Sequence, residues 1–372
     1  MRRRGKSKRF KKQRGGQVAK AMVTTLAGSS AASYLDATGR EARFNSPSGV
    51  VVGAGGNLYV SDTLNNRIRI ITPGGVVSTL AGSSWGFQDG PGTSAKFANP
   101  EGVAVDAAGN VYVADMLNHR IRIITPDGIV STFAGSGFGG YGDGIAASAS
   151  FTHPMGVAVD AAGNVYVADQ GNNCIRKIAS GQVTTFAGAG FAGRGWTDSI
   201  GTLARFDRPY GVAVDTSGIV YVADTYNGRI RKITSNRAVS TLATGFTTPT
   251  AVAVDAAGNV YVAEPSNNYI KKITSGVVTI FAGSWGTGFS DGVATNATFS
   301  YPKGVAVNAL GNVYVTDNNN HSIRVITPPP ITTTRGDPGR DAWVAWKRVE
   351  PFPASRGGVR RRAKRRITRR KR

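Results

Sequence analysis

Cysteine is almost missing from this chain: Cys174 is the single one, so no intrachain disulfide can form and the fold must stand on packing. Histidine is scarce as well, with three residues at His119, His153 and His321. No apolar run approaches the roughly 18 residues of a membrane-crossing helix. The basic N-terminus is not followed by the apolar stretch of a secretory leader. No phosphate-cradling glycine loop, cysteine pair or Ser/His/Asp order is visible. These absences lead to the expectation of a protein with no cofactor, no metal, no membrane span and no catalytic constellation. With no secretory leader seen, the expected location is intracellular (nucleus or cytoplasm) or a virion.

Acids are missing from the two ends. Residues 1–20 carry ten Lys/Arg and no Asp or Glu. Residues 331–372 carry fifteen Lys/Arg against Asp337, Asp341 and Glu350, a net of +12. The whole chain is +23, so subtracting 10 and 12 leaves +1 for residues 21–330. A nearly neutral body is thus expected between cationic ends. Like charges at this density repel and bury nothing, so residues 1–20 and 356–372 read as disordered basic tails, with a Pro/Gly-rich linker over 331–355.

The body is repetitive. The stretch 156–169, GVAVDAAGNVYVAD, holds two alternating apolar runs around a Gly-containing break, the pattern of a β-hairpin. It returns at 49–62, 102–115, 211–224, 251–264 and 304–317. The closing acids Asp62, Asp115, Asp169, Asp224, Glu264 and Asp317 are spaced by 53, 54, 55, 40 and 53. A third run such as RIRII or RIRKI follows each acid, and an outer run such as VSTLAG or VTTFAG completes the set. Four strand types, each present six times, predict an all-β, six-bladed β-propeller over 21–330. The chain starts on an outer run at Val23 and stops on a third run at Thr327. The first strand is therefore expected to fill the last sheet and cover two open edges.

The elements P-x-G-V-A-V-D, G-N-V-Y-V-A-D, N-x-R-I-R-K-I and V-x-T-L-A-G resemble NHL repeats and cover about 23–327. The resemblance implies the same six-bladed propeller. The fifth repeat departs from it: about 14 residues are missing between Ala243 and Pro249, and Glu264 replaces Asp. A shortened loop, not a lost blade, is expected there.

An acid copied into every blade reads as scaffold, paired with a turn amide or with the Arg of the following strand. His119 and His321 stand where other repeats have Asn or Gly, so they read as turn residues. The slot after the proline varies beside a nearly invariant strand. Its occupants, Ser48, Glu101, Met155, Tyr210, Thr250 and Lys303, together with His153 just before Pro154, form a candidate recognition rim. One acid among them is too few for a calcium cage, and three scattered histidines do not make a zinc centre.

The ends supply the second candidate site. Arg2, Arg3, Arg4, Lys6, Lys8, Arg9, Lys11, Lys12 and Arg14 lie in one. Arg360, Arg361, Arg362, Lys364, Arg365, Arg366, Arg369, Arg370, Lys371 and Arg372 lie in the other. Such runs neutralise phosphates and bind nucleic acid, RNA or DNA, without reading its sequence. The leading expectation is a non-enzymatic binding or scaffold propeller. Its tails bind nucleic acid, its loop face contacts another protein, and a genome-associated or virion structural role fits. The alternative is a hydrolase, a lyase or a small-ligand binder acting at the central channel.

Overall fold

The computed structural model describes residues 20–191 and 193–329. Its unit is the expected hairpin, and the turn explains why. Asp106 Oδ1 accepts the N–H groups of Ala108 and Asn110 at 3.0 and 2.8 Å. Its other oxygen accepts from the Asn110 amide at 2.8 Å and from the Tyr112 hydroxyl at 3.1 Å. Gly109 completes the turn at φ 88°, a conformation that a side chain resists. Asp160, Asp215 and Asp255 repeat this arrangement, and Asn308 substitutes in the last blade. Partial burial works against the Asp106 charge, but these bonds hold its pKa below the usual value. Tyr112 is pushed up to about 12, first by burial and then by the neighbouring carboxylate.

Six antiparallel sheets follow. Their innermost strands are Pro47–Val52, Pro100–Val105, Pro154–Val159, Pro209–Val214, Ala251–Val254 and Pro302–Val307. Blades 1 to 6 are numbered in that order. Second strands end on the repeated acid, as in Val165–Asp169, and third strands run as in Cys174–Ala179. Outer strands are Val77–Ala81, Ile129–Ala134, Gln182–Ala187, Val239–Ala243 and Val277–Ala282 in blades 1 to 5. In blade 6 that place is taken by Met22–Gly28, which lies antiparallel to Ser322–Thr327 with Val23 opposite Ile326. The protein is a six-bladed β-propeller.

Second strands such as Val111–Asp115 and Val165–Asp169 are apolar at successive positions and buried on both faces, so the core is divided among the blade interfaces. Between blades 2 and 3, for example, Tyr112, Ala114 and Ile121 meet Phe151, Val157 and Val165 in one cluster. A fully buried Val or Ile contributes about 1.5–3 kcal/mol, and every interface holds several. The glycine of P-x-G sets how closely the innermost strands approach. A Cβ on Gly304 would lie 2.1 Å from the Ser48 carbonyl oxygen, and one on Gly156 would lie 2.4 Å from that of Tyr210. Ala251 stands in this place in blade 5, where the first strand pairs straight, without the register shift seen after the proline in the other five.

Candidate functional site

The repeated acids are scaffold. Asp169 Oδ1 accepts the Thr152 N–H at 2.8 Å, and Oδ2 accepts from Asn172 and from Arg176 Nη1, each at 2.8 Å. The other arm of Arg176 reaches Asp143, in the loop ahead of the blade, and its guanidinium lies 5.2 Å from the Phe151 ring centre. Arg69, Arg122, Arg231 and Arg324 do the same with Asp62 and Asp36, Asp115 and Asp89, Asp224 and Asp198, and Asp317 and Asp291. All five guanidinium groups are fully buried. Burial raises the inner carboxylates more than the arginines lower them, taking Asp169 and Asp317 up to about 6. Asp89, Asp143 and Asp291 each stand before a glycine, the sequence of a turn. Their second role, as the outer partner of a buried Arg, needed the fold to bring together residues 33 apart.

The slot after the proline lies at the mouth of the central channel. Ser48, Glu101, Met155, Tyr210, Thr250 and Lys303 line one cavity of about 70 Å³. They are less exposed than a recognition rim implies: Ser48, Glu101, Met155 and Thr250 are buried and the other two half-buried. Three come from alternate blades and meet at the axis. Lys303 Nζ lies 2.9 Å from Glu101 Oε2, and the Tyr210 hydroxyl donates to that oxygen at 2.7 Å. Burial, and then the charge of Glu101, push the Tyr210 phenol well above its ordinary pKa. Acid, phenol and ammonium therefore satisfy one another across the opening. Ser48 Oγ is buried beside them with no partner. Below the mouth, the second cavity is lined by the Val-Val-Val or Val-Ala-Val runs of all six innermost strands. It offers no side-chain hydrogen-bonding group.

His153 does not join this ring. Its φ of 51° turns it out of the strand, and its ring lies against that of His119, tilted by 51° with centres 4.9 Å apart. His119 Nδ1 accepts the His153 N–H at 3.2 Å, and His321 Nδ1 accepts that of Ser46 at 3.1 Å. Asn66, Asn173 and Asn268 make the same link through Oδ1. This slot is therefore a turn residue that also ties its blade to the next. Hydroxyls add further links: Thr316 donates to the Ser48 carbonyl at 2.7 Å, and Thr63 to that of Pro100 at 2.8 Å. The clue in the sequence was slight, Thr for Ala before the acid in one case and Thr just after it in the other. Among the described residues, no three of His, Cys, Asp and Glu gather as metal ligands.

The loop face carries a different chemistry. Arg67 lies 3.9 Å from the Tyr34 ring centre and Arg120 3.9 Å from that of Phe87. Arg208 lies 4.6 Å from Tyr226, and Arg229 5.6 Å from Trp196. All four rings are exposed, as are Trp85, Phe138 and Trp285 on neighbouring loops. The rings can be read off the sequence, whereas the arginine beside each is a product of the fold. The basic residues of 1–19 and 331–372 lie outside the described residues.

The NHL repeat model matches residues 44–71, 97–124, 151–178, 206–233 and 299–326. The chain is an NHL-repeat β-propeller protein. The unmatched blade is the fifth, the one with the shortened loop. Protein SUPPRESSOR OF QUENCHING 1 of Arabidopsis thaliana is 29% identical over 324 residues, 82% of this chain and 27% of its own length. NHL repeat-containing protein 2 of Bos taurus is 33% identical over 157 residues, 37% of this chain and 21% of its own. The chain thus spans about a quarter of these relatives' lengths. Among solved structures, a protein of unknown function from Bacteroides thetaiotaomicron aligns with a TM-score of 0.63 at 20% identity, covering 82% of this chain and 76% of that one. A gluconolactonase from Xanthomonas campestris aligns at 0.57 and 15%, over 85% and 94%. At these identities the likeness is one of fold. No helix among the described residues is long and apolar enough to cross a membrane.

Proposed function

We propose that this protein is a non-enzymatic binding propeller for single-stranded nucleic acid, with the basic ends gripping phosphates and the loop face offering surfaces for bases. The observation that carries this reading is the set of exposed aromatic rings paired with arginines, Arg67 with Tyr34, Arg120 with Phe87, Arg208 with Tyr226 and Arg229 with Trp196. Flat rings stack on bases whatever their identity, and guanidinium groups pair with phosphates. The near-neutral body leaves most of the electrostatic attraction to the ends, where ten and fifteen Lys/Arg stand almost without acids. A genome-associated role, in a cell or a virion, suits such a division of labour. The test is binding of a labelled single-stranded oligonucleotide to F87A and R120A variants. Each exposed ring that stacks a base contributes about 1–3 kcal/mol, so F87A should bind at least several-fold more weakly. Unchanged binding in both variants would remove the loop face from the site.

A second reading is favoured by one observation, the unpartnered Ser48 Oγ in the cavity beside Glu101, Tyr210 and Lys303. It makes the channel mouth a small-ligand or catalytic site. Turnover of a sugar lactone that disappears in an E101Q variant would support it over the first.

A further inference from the structure

Blade 5 differs from its sisters at four linked places. The loop ahead of it is cut to residues 244–249. Glu264 replaces the inner Asp and Lys271 the buried Arg, and the two meet at 2.8 Å. Ile280 replaces the outer-strand Thr found at Thr25, Thr79, Thr132, Thr185 and Thr241. The sister blades show why these changes go together. In blade 3 the loop Asp143 takes Arg176, the Thr185 N–H at 2.9 Å and the Thr185 hydroxyl at 3.2 Å. The residues after it, Gly144–Ile145, then pair with the outer strand as a fifth strand. Gly90–Pro91 and Gly292–Val293 do so in blades 2 and 6, and single bridges from Thr38 and Ile200 do so in blades 1 and 4.

No such segment lies on Val277–Ala282 among the described residues. The register is shared: Lys271 faces Ile280 as Arg69 faces Thr79 and Arg176 faces Thr185. In blade 1 the N–H groups of Val77 and Thr79 point outward to Ala37 O and Asp36. Those of Val278 and Ile280 therefore point outward too. Val277 and Ile280 are 62% and 48% exposed. Natural sheets rarely leave such an edge uncharged and uncovered.

We propose that blade 5 takes from another polypeptide what the sisters take from their own loops: an extended segment bearing an aspartate, laid antiparallel on Val277–Ala282. Backbone pairing to an open edge supplies affinity, and the acid supplies selectivity. Charge complementarity argues for the acid. In blades 1 to 4 each site holds two carboxylates to one guanidinium, a net charge of −1, while in blade 6 Arg40 adds a second cation on Asp291. Blade 5 holds Glu264 and Lys271, a net of zero, so one arriving carboxylate gives it the balance of blades 1 to 4. The Lys271 side chain is 14% exposed, and the outward N–H of Ile280 marks where the acid sits. No charged residue lies between Lys272 and Asp291 to repel it. Ile280 in place of Thr gives the incoming segment an apolar contact.

The probe is a labelled peptide copying residues 286–295 of this chain, GTGFSDGVAT, and its Asp→Asn twin. Anisotropy is read with the full-length protein and with V278P, which removes an outward N–H and leaves the ladder to the third strand intact. The Asp peptide should bind, and affinity should fall about tenfold or more with either change, as expected for a lost charge-assisted bond or backbone pair. Both proteins carry the same basic ends, so their difference reads the edge. Should V278P melt early, I280D keeps the ladder and sets a like charge at the docking point, and the same loss is expected. Equal binding of the two peptides, or equal binding to wild type and variant, overturns the proposal. So does a concentration-dependent dimer that V278P breaks, which would assign the edge to a second copy.

Discussion

Asp169 and Arg176 meet at 2.8 Å with neither side chain exposed, while the same guanidinium holds Asp143, whose side chain is 47% exposed. One cation is thus shared between a dry acid and a wet one. Removing one partner of a buried pair leaves a charge in low dielectric, whereas an exposed pair is screened. D169A should therefore lower unfolding stability by about 3–5 kcal/mol, and D143A by less, about 1–3 kcal/mol, the cost of the second arm of Arg176 left without its acid. Urea denaturation of the two variants checks the order, and equal losses would contradict it.

The glycines at the channel mouth give a sharper contrast. G304A would drive a Cβ to 2.1 Å from the Ser48 carbonyl oxygen, a backbone atom that cannot swing away. Overpacking of this kind costs about 1–3 kcal/mol or more. A251G, in the straight fifth strand, should cost no more than about 1 kcal/mol, the penalty of added chain freedom. Thermal melting of both variants compares them.

Histidine titration should leave a mark on stability. Burial lowers the pKa of His321 from 6.5, and burial together with the charges of His153 and Arg120 lowers that of His119. The unfolded chain then binds more protons than the folded one as pH falls below 6.5, so stability is lost in that window. Asn does the same job in Asn66, Asn173 and Asn268 without titrating. The double variant H119N/H321N should hold its stability better than the parent between pH 6.5 and 5. Identical pH profiles would count against neutral imidazoles at these turns.

Blade 5 tests the logic of the arginine cages. Making it look like its sisters with E264D and K271R supplies a guanidinium but no loop aspartate to receive its second arm. A buried donor left unpaired costs about 1–3 kcal/mol, so the double variant should be less stable than the parent. A gain in stability on chemical denaturation would show that the lysine is not an adaptation to the short loop.

The propeller was legible because its evidence is local and repeated. Alternation and the closing acid recur in every blade and the Asp-x-x-Gly turn in blades 2 to 5, and each acts within a few residues of itself. The channel mouth was half legible. The variable slot at 48, 101, 155, 210, 250 and 303 was found as a set, because variation beside a constant strand shows in one sequence. That Glu101, Tyr210 and Lys303 would bond to one another was not, since the pairs are 109 and 202 residues apart and only ring geometry brings alternate blades to one axis. His153 was misplaced for a similar reason: a left-handed backbone at a non-glycine residue sends its side chain away from its neighbours in sequence. The arginines beside the loop rings escaped notice because each is paired with a ring from a different repeat element.

The most direct test of the binding account is the salt dependence of association with a labelled single-stranded oligonucleotide. It is measured from 50 to 200 mM salt for the full chain and for a variant lacking residues 1–19 and 356–372. Several phosphate contacts from the ends predict that the full chain loses about a thousandfold in affinity over this range, and that the shortened one binds weakly with a shallow slope. Tight binding that ignores salt and survives removal of the ends would contradict the account.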